Sequence, residues 1–499
     1  MTGWIVAPVV LPALIATLLV LARRTGITVQ RTLSLVGSTT LLAIAIALIR
    51  TATAAPAQAY HLGNWPAPFG IVLVLDRLSA LMVLLTAVLA LAVLIYAIGA
   101  GWDRKGRHFH ALYQFQMMGL CGAFLTADAF NLFVFFEVLL IASYGLMLHG
   151  GGRDRVRAGF QYVAFNLIGS TLFLFALATV YSVTGTLNMA DLAVKLPGLP
   201  DDDMALIRVA AVLLLLVFAI KGALVPLHFW LPGTYAAAPG VVAALFAVMT
   251  KVGAYAALRF GTLVFPPGLA STGTLYRDVL LPAALVTLAI GSIGVLGART
   301  LPRLAAFAAV ASMGTVFLAV AGFTPATTSA ALYYILHSTL AGAALFLVTD
   351  MVVRRHGGAL TAAQPGMFGG VLAALFLTAA IASAGMPPLS GFIGKLLVLS
   401  AWTADALLVW PIVLVATFLM ILGLARAGTT LFWRTDARLP PAAAAAPEPW
   451  AQAAVILLIG LMALLTVLGG PVTAWLDATA AGLYDPSAYI AANRLYEEP

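Results

Sequence analysis

Apolar runs of about 20 residues recur along the whole chain, separated by short polar segments. A run of this length crosses the hydrocarbon core of a bilayer as one α-helix, whereas membrane-barrel strands are about 10 residues long and alternate apolar with polar positions. The pattern therefore predicts an all-α polytopic membrane protein with about fourteen transmembrane helices. The predicted spans are 4–22, 33–50, 72–98, 111–127, 130–149, 160–184, 205–227, 238–261, 279–298, 302–322, 327–351, 368–402, 406–432 and 450–470, the twelfth being long enough for two half-helices.

Basic residues test this count, because Lys and Arg gather in the cytoplasmic loops of membrane proteins. If there are fourteen spans, fifteen Lys and Arg residues fall in one set of alternate loops and six fall in the other set. Both termini are therefore expected on the non-cytoplasmic side. The larger set is Arg23, Arg24, Arg31, Arg104, Lys105, Arg107, Arg153, Arg155, Arg157, Arg299, Arg303, Arg354, Arg355, Arg434 and Arg438, and the smaller set is Arg50, Lys195, Arg208, Arg259, Arg277 and Arg494.

The composition is typical of a membrane protein and argues against a soluble domain. The chain has 499 residues, of which 63% are hydrophobic and 9% charged, whereas soluble domains average about 25% charged residues. The basic loops account for its net charge of +8, and no basic patch interleaved with aromatic residues predicts nucleic-acid binding. The single cysteine, Cys121, excludes an internal disulfide and a thiolate metal cluster. We expect no cofactor and no metal, and a function carried out within the bilayer.

Three of the five lysines, Lys221, Lys251 and Lys395, lie inside apolar runs. A charged group in the middle of a bilayer is costly. Because burial disfavours the charged form, a buried lysine can take up and release a proton near neutral pH, which an arginine cannot. The three lysines therefore predict proton handling. The alternative is that each side chain extends from a helix end to the membrane interface.

Two further titratable residues lie at membrane depth. Glu137 is the only glutamate before residue 448 and sits in "NLFVFFEVLLIASY". A lone carboxylate within a membrane needs a partner, and we expect Lys221. Separation of this pair would release a proton from the lysine, although a purely structural ion pair is the alternative. His337, in "LYYILHSTLAGAALF", is either a relay group or a packing residue.

Prolines interrupt spans 7 and 12. Pro226 has no N–H group and leaves the carbonyl of Gly222 free next to Lys221. Irregular backbone at membrane depth is tolerated only where it is buried in protein or lines a watery cavity. Interruptions in matching positions predict two inverted five-helix repeats, spans 4–8 and 9–13, with simple packing kinks as the alternative. The residues expected to support the two interruptions are Pro226, His228, Pro387, Pro388, Ser390 and Gly391.

Several segments resemble a known family. The stretch "FAIKGALVPLHFWLPGTYAAAPGVVAALFAVMTKVGAY" at 218–255, with "DAFNLFVFFEVLLIASYGL" and "GMPPLSGFIGKLLVLSA", is similar to the proton-translocating antiporter-like subunits shared by respiratory complex I and the Mrp cation/proton antiporters. The likeness covers roughly residues 72–430. "YYILHSTLAGAALFLVTD" and "RAGTTLFW" look most like the D-type subunits of the Mrp antiporters.

The resemblance implies a place in a hetero-oligomeric complex of the bacterial inner membrane, beside a large A-type subunit and several small membrane subunits. It implies that protons enter at Glu137 and Lys221, pass Lys251 and His337, and end at Lys395. Many relatives carry a lysine four residues after the histidine, where this chain has Ala341. The implied segments are 1–98 (three N-terminal helices), 99–262 and 263–432 (the two repeats), and 433–499 (a linker, span 14 and a tail).

The implied function is proton movement coupled to export of Na+ or another monovalent cation. The chain is thus expected to be part of a transporter and not an enzyme. The alternative is a proton-pumping subunit of a complex I-like NADH–quinone oxidoreductase or of a membrane-bound hydrogenase, in which partners carry the redox chemistry. A structural scaffold is a third possibility, but it leaves three buried lysines without a purpose.

Overall fold

A computed structural model describes residues 2–66, 68–436, 438 and 448–493. In these residues the chain is largely α-helical, and twelve helices are long and apolar enough to cross a membrane. The prediction of an all-α polytopic membrane protein is confirmed. Much of the predicted linker at 433–449, and Arg494, lie outside the described residues.

The helices follow one another closely along the chain. The first ten are α1 (Ala7–Leu21), α2 (Ile27–Ala54), α3 (Arg77–Gly99), α4 (Phe109–Leu125), α5 (Ala129–Met147), α6 (Arg153–Thr184), α7 (Met189–Lys195), α8 (Asp201–Gly222), α9 (Trp230–Ala237) and α10 (Gly240–Arg259). The others in the described residues are α11 (Leu275–Gly297), α12 (Leu301–Val320), α13 (Pro325–His356), α14 (Gly370–Ala384), α15 (Ser390–Ala401), α16 (Ala406–Gly428), α17 (Pro449–Val467), α18 (Gly469–Leu483) and α19 (Ser487–Ala492).

The third predicted span begins too early. Its first residues form strand β2 (Val72–Leu75), which pairs antiparallel with β1 (Gln58–His61). The helix starts after Asp76, whose carboxylate accepts a hydrogen bond from the Ser79 N–H at 2.8 Å. The Ser79 hydroxyl in turn accepts from the Asp76 N–H at 2.9 Å, which completes a capping box and fixes the start of α3.

Two other predicted spans correspond to helices that are shorter than the twelve long apolar ones. Span 4 corresponds to α4, which has 17 residues, and span 12 corresponds to the pair α14 and α15. The short helices α18 and α19, which follow span 14, were not predicted from the sequence. The last turns of α10 and α16 are continued by π-helical segments, Phe260–Val264 and Thr429–Trp433 respectively.

Both predicted interruptions are present. Helix α8 ends at Gly222, after which Ala223 adopts a left-handed conformation with φ of 55°, and the chain becomes helical again at Trp230. Helix α14 ends at Ala384, followed by Gly385 with φ of 74°, and α15 starts at Ser390. The prolines thus separate helices instead of merely bending them.

Two enclosed helices form the centre of the protein. In α10 all residues from 241 to 259 are buried, and most of α13 is buried as well. A Cβ on Gly253 would lie 2.7 Å from the Gly222 nitrogen and from the Phe218 carbonyl oxygen. The glycine therefore lets α10 approach the interrupted end of α8, two residues after Lys251.

Candidate functional site

Lys221 lies in the last turn of α8 and is only 7% exposed. Its Nζ donates a hydrogen bond of 3.0 Å to Oδ1 of Asn166 on α6. The other end of that amide, Nδ2, donates to the Tyr162 carbonyl at 2.8 Å. Because both ends of the amide are engaged, Asn166 presents its oxygen to the lysine.

Glu137, on α5, is half-buried and accepts a hydrogen bond from the Ser170 hydroxyl. Ser170 lies one turn after Asn166 on the same buried stripe of α6. Of the ion pairs among the described residues, none joins Glu137 to Lys221. Glu137 and Lys221 therefore form no contact ion pair, since a neutral hydroxyl and a neutral amide on α6 each bond one member, and their partnership at longer range stays a prediction.

Lys251 and His337 line one enclosed cavity at the centre of the protein. The cavity has a volume of about 20 Å³, which holds about one water molecule. Ala341 lines the same cavity. In the described part of the chain Lys251 has no hydrogen-bonded side-chain or backbone partner, so a water in this cavity is its natural partner.

The start of α15 holds the histidine. Nδ1 of His337 lies 2.9 Å from the Ser390 hydroxyl, and either the ring or the hydroxyl donates, depending on the tautomer. A Cβ on Gly391 would lie 2.7 Å from Nε2 of the same ring. Ser390 and Gly391 therefore do more than loosen a turn, because the first bonds the imidazole and the second makes room for it.

Lys395 lies further along α15 and is 8% exposed. Its Nζ donates to the Ala384 carbonyl at 2.7 Å and to the Thr417 hydroxyl at 2.8 Å. The Ala384 carbonyl is at the C-terminal end of α14, where helical carbonyls lack intrahelical partners. The interruption thus supplies the lysine with a backbone acceptor.

The predicted prolines lie apart from these contacts. Pro226, Pro387 and Pro388 are exposed, and none of them lines the cavities of Lys221 and Lys251. His228 is half-buried, and its Nδ1 is a buried atom without a partner among the described residues. In the first interruption the indole N–H of Trp230 donates to the Ile220 carbonyl at 3.0 Å.

A second cavity is lined by Lys221 and Asn166 and also has a volume of about 20 Å³. Thr250 and Tyr235 line this cavity and the one that contains Lys251 and His337. The two cavities are therefore neighbours on opposite sides of these two side chains. The structure places Lys221 in one cavity and Lys251 with His337 in its neighbour, with Lys395 on the helix that bonds His337.

Sequence reasoning missed four residues of this region: Asn166, Ser170, Tyr235 and Thr417. The first two had a signal, since polar residues four apart on an otherwise apolar helix share one face. Within the described residues no group of three or more His, Cys, Asp or Glu side chains is placed to hold a metal ion. The arrangement instead suits proton exchange between nitrogen bases and water.

Comparison with known proteins identifies the family. The model for the family described as NADH:quinone oxidoreductase/Mrp antiporter, TM, matches residues 126–422. A relative from Rhizobium meliloti (strain 1021), named as the probable D-type subunit of a K(+)/H(+) antiporter, is 38% identical over 533 residues, with 97% of each chain covered. The chain belongs to this family.

Other members of the NADH:quinone oxidoreductase/Mrp antiporter family agree over the full length. The D-type subunit of the Na(+)/H(+) antiporter of Bacillus subtilis (strain 168) is 36% identical over 501 residues, with 99% of each chain covered. A chain in the structure of the Mrp complex from Dietzia sp. DQ12-45-1b has a TM-score of 0.87 and 29% identity, covering 99% of this chain and 100% of that one. The resemblance inferred from the sequence motifs is confirmed.

Proposed function

We propose that this chain is the proton-translocating membrane subunit of a multi-subunit monovalent cation/proton antiporter, corresponding to the D-type subunits, in a bacterial inner membrane. The names of the relatives support the class of complex, and a large A-type subunit with several small membrane subunits are the partners it needs. The observation that carries the proposal is the row of four buried bases: Lys221 and Lys251 line neighbouring cavities, His337 lines the second of these, and Lys395 lies on the helix that bonds His337.

Protons enter at Glu137 and Lys221 through α6. The carboxylate is bonded to Ser170 and the lysine to Asn166, so the charges attract one another across one turn of helix without contact. Movement of α6 changes this attraction, and a weaker attraction favours the neutral lysine. The released proton passes from the cavity around Lys221 into the central cavity. Thr250 and Tyr235 line both cavities and so mark the passage between them.

The second half of the route runs from Lys251 through water to His337 and then to Lys395. A water beside Ala341 takes the place that a lysine side chain fills in many relatives. His337 is bonded to the first residue of α15, and Lys395 is the sixth residue of that helix. A shift of α15 therefore acts on both groups at once, which couples the central relay to the terminal lysine.

We further propose fourteen transmembrane segments, with both termini on the non-cytoplasmic side and two inverted repeats at 99–262 and 263–432. In this arrangement α4 is one segment, and α14 with α15 makes another. Support for the repeats comes from the interruptions in α8–α9 and α14–α15 and from the π-helical turns that end the last helix of each repeat.

The proposal is tested in everted membrane vesicles that contain the assembled complex. An imposed proton gradient is followed with a pH-sensitive dye while Na+, Li+ or K+ is added, because the relatives are named for different cations. We expect at least one cation to collapse the gradient, and Lys221→Ala to abolish this response in a complex that still assembles. Normal exchange by that variant would exclude the relay.

The redox alternative gives a different result in the same vesicles. Proton pumping that requires oxidation of an electron donor, with no response to any added cation, would replace the antiporter assignment by a complex I-like one. The family includes both classes, so this measurement separates them directly.

A further inference from the structure

A third cavity lies next to the basic loops. It has a volume of about 210 Å³ and is lined by the start of α6, the junction of α9 with α10, and the last turns of α13. Lys105 at its rim is exposed, whereas Thr349 and Asp350 on α13 are 3% and 4% exposed. We call this cavity the vestibule; it opens towards the loops and narrows towards the core.

Fixed polar contacts shape the vestibule. The Asp350 carboxylate accepts hydrogen bonds from Tyr96 at 2.7 Å and from Trp102 and Arg354 at 2.9 Å. The Lys105 ammonium lies 3.6 Å from the centre of the Trp102 ring. Partial burial, with nearby Arg354 and Arg155, lowers the pKa of Lys105, although Asp350 opposes this. The vestibule is thus a partly apolar space, bordered by the hydrogen-bonded Asp350 and by basic side chains, and partly withdrawn from bulk water.

The vestibule lies directly above the central cavity along one face of α13. Arg354, Asp350 and Phe346 line the vestibule, and Phe346, Gly342 and Ser338 line the central cavity. These residues follow one another at intervals of four, so they share a face of the helix. The distance from Asp350 to Gly342 is about 12 Å along the helix axis.

Tyr235 lines all three cavities: the vestibule, the central cavity and the one around Lys221. Its ring packs edge-to-face against Phe346, with centroids 5.8 Å apart, and its hydroxyl donates to the Phe246 carbonyl at 3.0 Å. Tyr235 is on the eight-residue helix α9, which lies between the interruption after Gly222 and Pro239. Irregular backbone at both ends of a short helix supplies hinge positions at which the helix can shift.

The geometry points to the vestibule as the solvent entrance to the buried lysines, and to Tyr235, packed on Phe346, as the gate that closes it. With the ring in place, the space beyond holds about one water molecule. Displacement of the ring joins the vestibule to both inner cavities. This inference rests on the proposed function, because a gate matters only where protons must cross in a controlled way.

The test measures accessibility, not transport. Cys121, the only cysteine, is first replaced in Cys121→Ser, and Ala341→Cys then places a thiol in the central cavity of the assembled complex. The rate of its reaction with a small water-soluble methanethiosulfonate is followed, with the reagent added to each face of the membrane. A closed gate leaves the open state at most about one tenth populated. Tyr235→Ala is therefore expected to raise the labelling rate at least about tenfold, from the basic-loop face only.

Matched variants separate gating from general loosening. Tyr333 is also a buried tyrosine whose hydroxyl donates to a backbone carbonyl, that of Leu465, but it lines none of the three cavities. We expect unchanged labelling in Tyr333→Ala and in Tyr235→Phe, which keeps the ring. Lys105→Cys, at the exposed rim of the vestibule, should react quickly with or without Tyr235.

The outcomes are distinct from those that test the proposed function. Unchanged labelling of Ala341→Cys in the Tyr235→Ala background, in a complex that exchanges cations for protons, excludes the gate and leaves the function intact. Fast labelling from the opposite face excludes the vestibule as the entrance. If Tyr235→Ala fails to assemble, Phe346→Ala must give the same rise, because it removes the other half of the contact.

Discussion

The two interrupted helices hold their lysines in different ways. Lys221 precedes its interruption and is bonded to the Asn166 side chain on another helix, α6. Lys395 follows its interruption and is bonded to the Ala384 carbonyl, which the interruption itself exposes, as well as to Thr417. The first lysine depends on a neighbouring helix that also contacts Glu137, whereas the second is anchored to backbone within its own segment.

This difference assigns different tasks to the two ends of the relay. An acceptor on a separate helix moves relative to the lysine, so the environment of Lys221 changes when α5 or α6 shifts. An acceptor at the end of α14 is separated from Lys395 by a short connection only. We infer that the first site is where proton uptake is controlled and that the second is a receiver whose properties vary little during the cycle.

The largest effect is expected for Lys221→Arg. This variant keeps the positive charge and much of the volume but cannot release its proton at physiological pH. Because positioned proton transfer contributes about 10²- to 10⁴-fold to a rate, exchange in vesicles should fall at least about 10²-fold while assembly, seen on a native gel, is retained. Lys195→Arg is the control, since Lys195 is a partly exposed loop-side residue paired with Asp191. Exchange near the wild-type rate in Lys221→Arg would show that this lysine supplies only charge.

The next effect is expected for Glu137→Gln, which keeps the contact with Ser170 but removes the charge. A nearby opposite charge changes a protonation equilibrium by about one to three powers of ten. Exchange should therefore fall at least about tenfold. Asp405→Asn is the control, because Asp405 is a surface carboxylate paired with Arg277. A wild-type rate in Glu137→Gln would remove Glu137 from the first site and leave Lys221 acting alone.

The sequence alone predicted the residues of the two interrupted helices that are conspicuous in an apolar run. Pro226, Pro387 and Pro388 indicate interruptions, because a missing N–H group breaks a helix wherever it occurs. Lys221, Lys251 and Lys395 are conspicuous because charge is rare within a bilayer. The family resemblance followed from the same residues, and the comparisons confirmed it.

The remaining parts depend on packing between helices, which a local pattern shows only in part. Ser170 and Asn166 are neutral polar residues on a 32-residue helix, and only the position of α5 and α8 shows which of its polar residues matter. Tyr235 is one aromatic residue among many until three cavities are seen to meet at it. The run Val72–Leu75 is predicted as helix from the sequence because a short apolar run does not distinguish a strand from a buried helical segment.

A smaller effect is expected for Asn166→Leu, which removes the acceptor of Lys221 at nearly constant volume. A hydrogen bond to a charged group contributes about 1.5 to 3 kcal/mol, so exchange should fall about 10- to 100-fold, with the thermal stability of the complex little changed. Thr171→Val on the exposed face of α6 is the control, because its hydroxyl bonds only the Leu167 carbonyl of its own helix. If exchange is unaffected in Asn166→Leu, α6 does not control the first site.

The smallest effect is expected for Thr417→Val, the corresponding change at the second site. The Ala384 carbonyl stays in place as an acceptor at 2.7 Å, so Lys395 loses one of two hydrogen bonds. The loss of about 1 kcal/mol corresponds to a fall in exchange of about fivefold or less. The measurement is the same dye assay, run side by side with Asn166→Leu.

A fall as large as that of Asn166→Leu would mean that the backbone carbonyl does not anchor Lys395, and the two sites would then be equivalent in kind. A smaller fall sharpens the distinction, because it separates a lysine controlled by a neighbouring helix from one fixed by its own interruption.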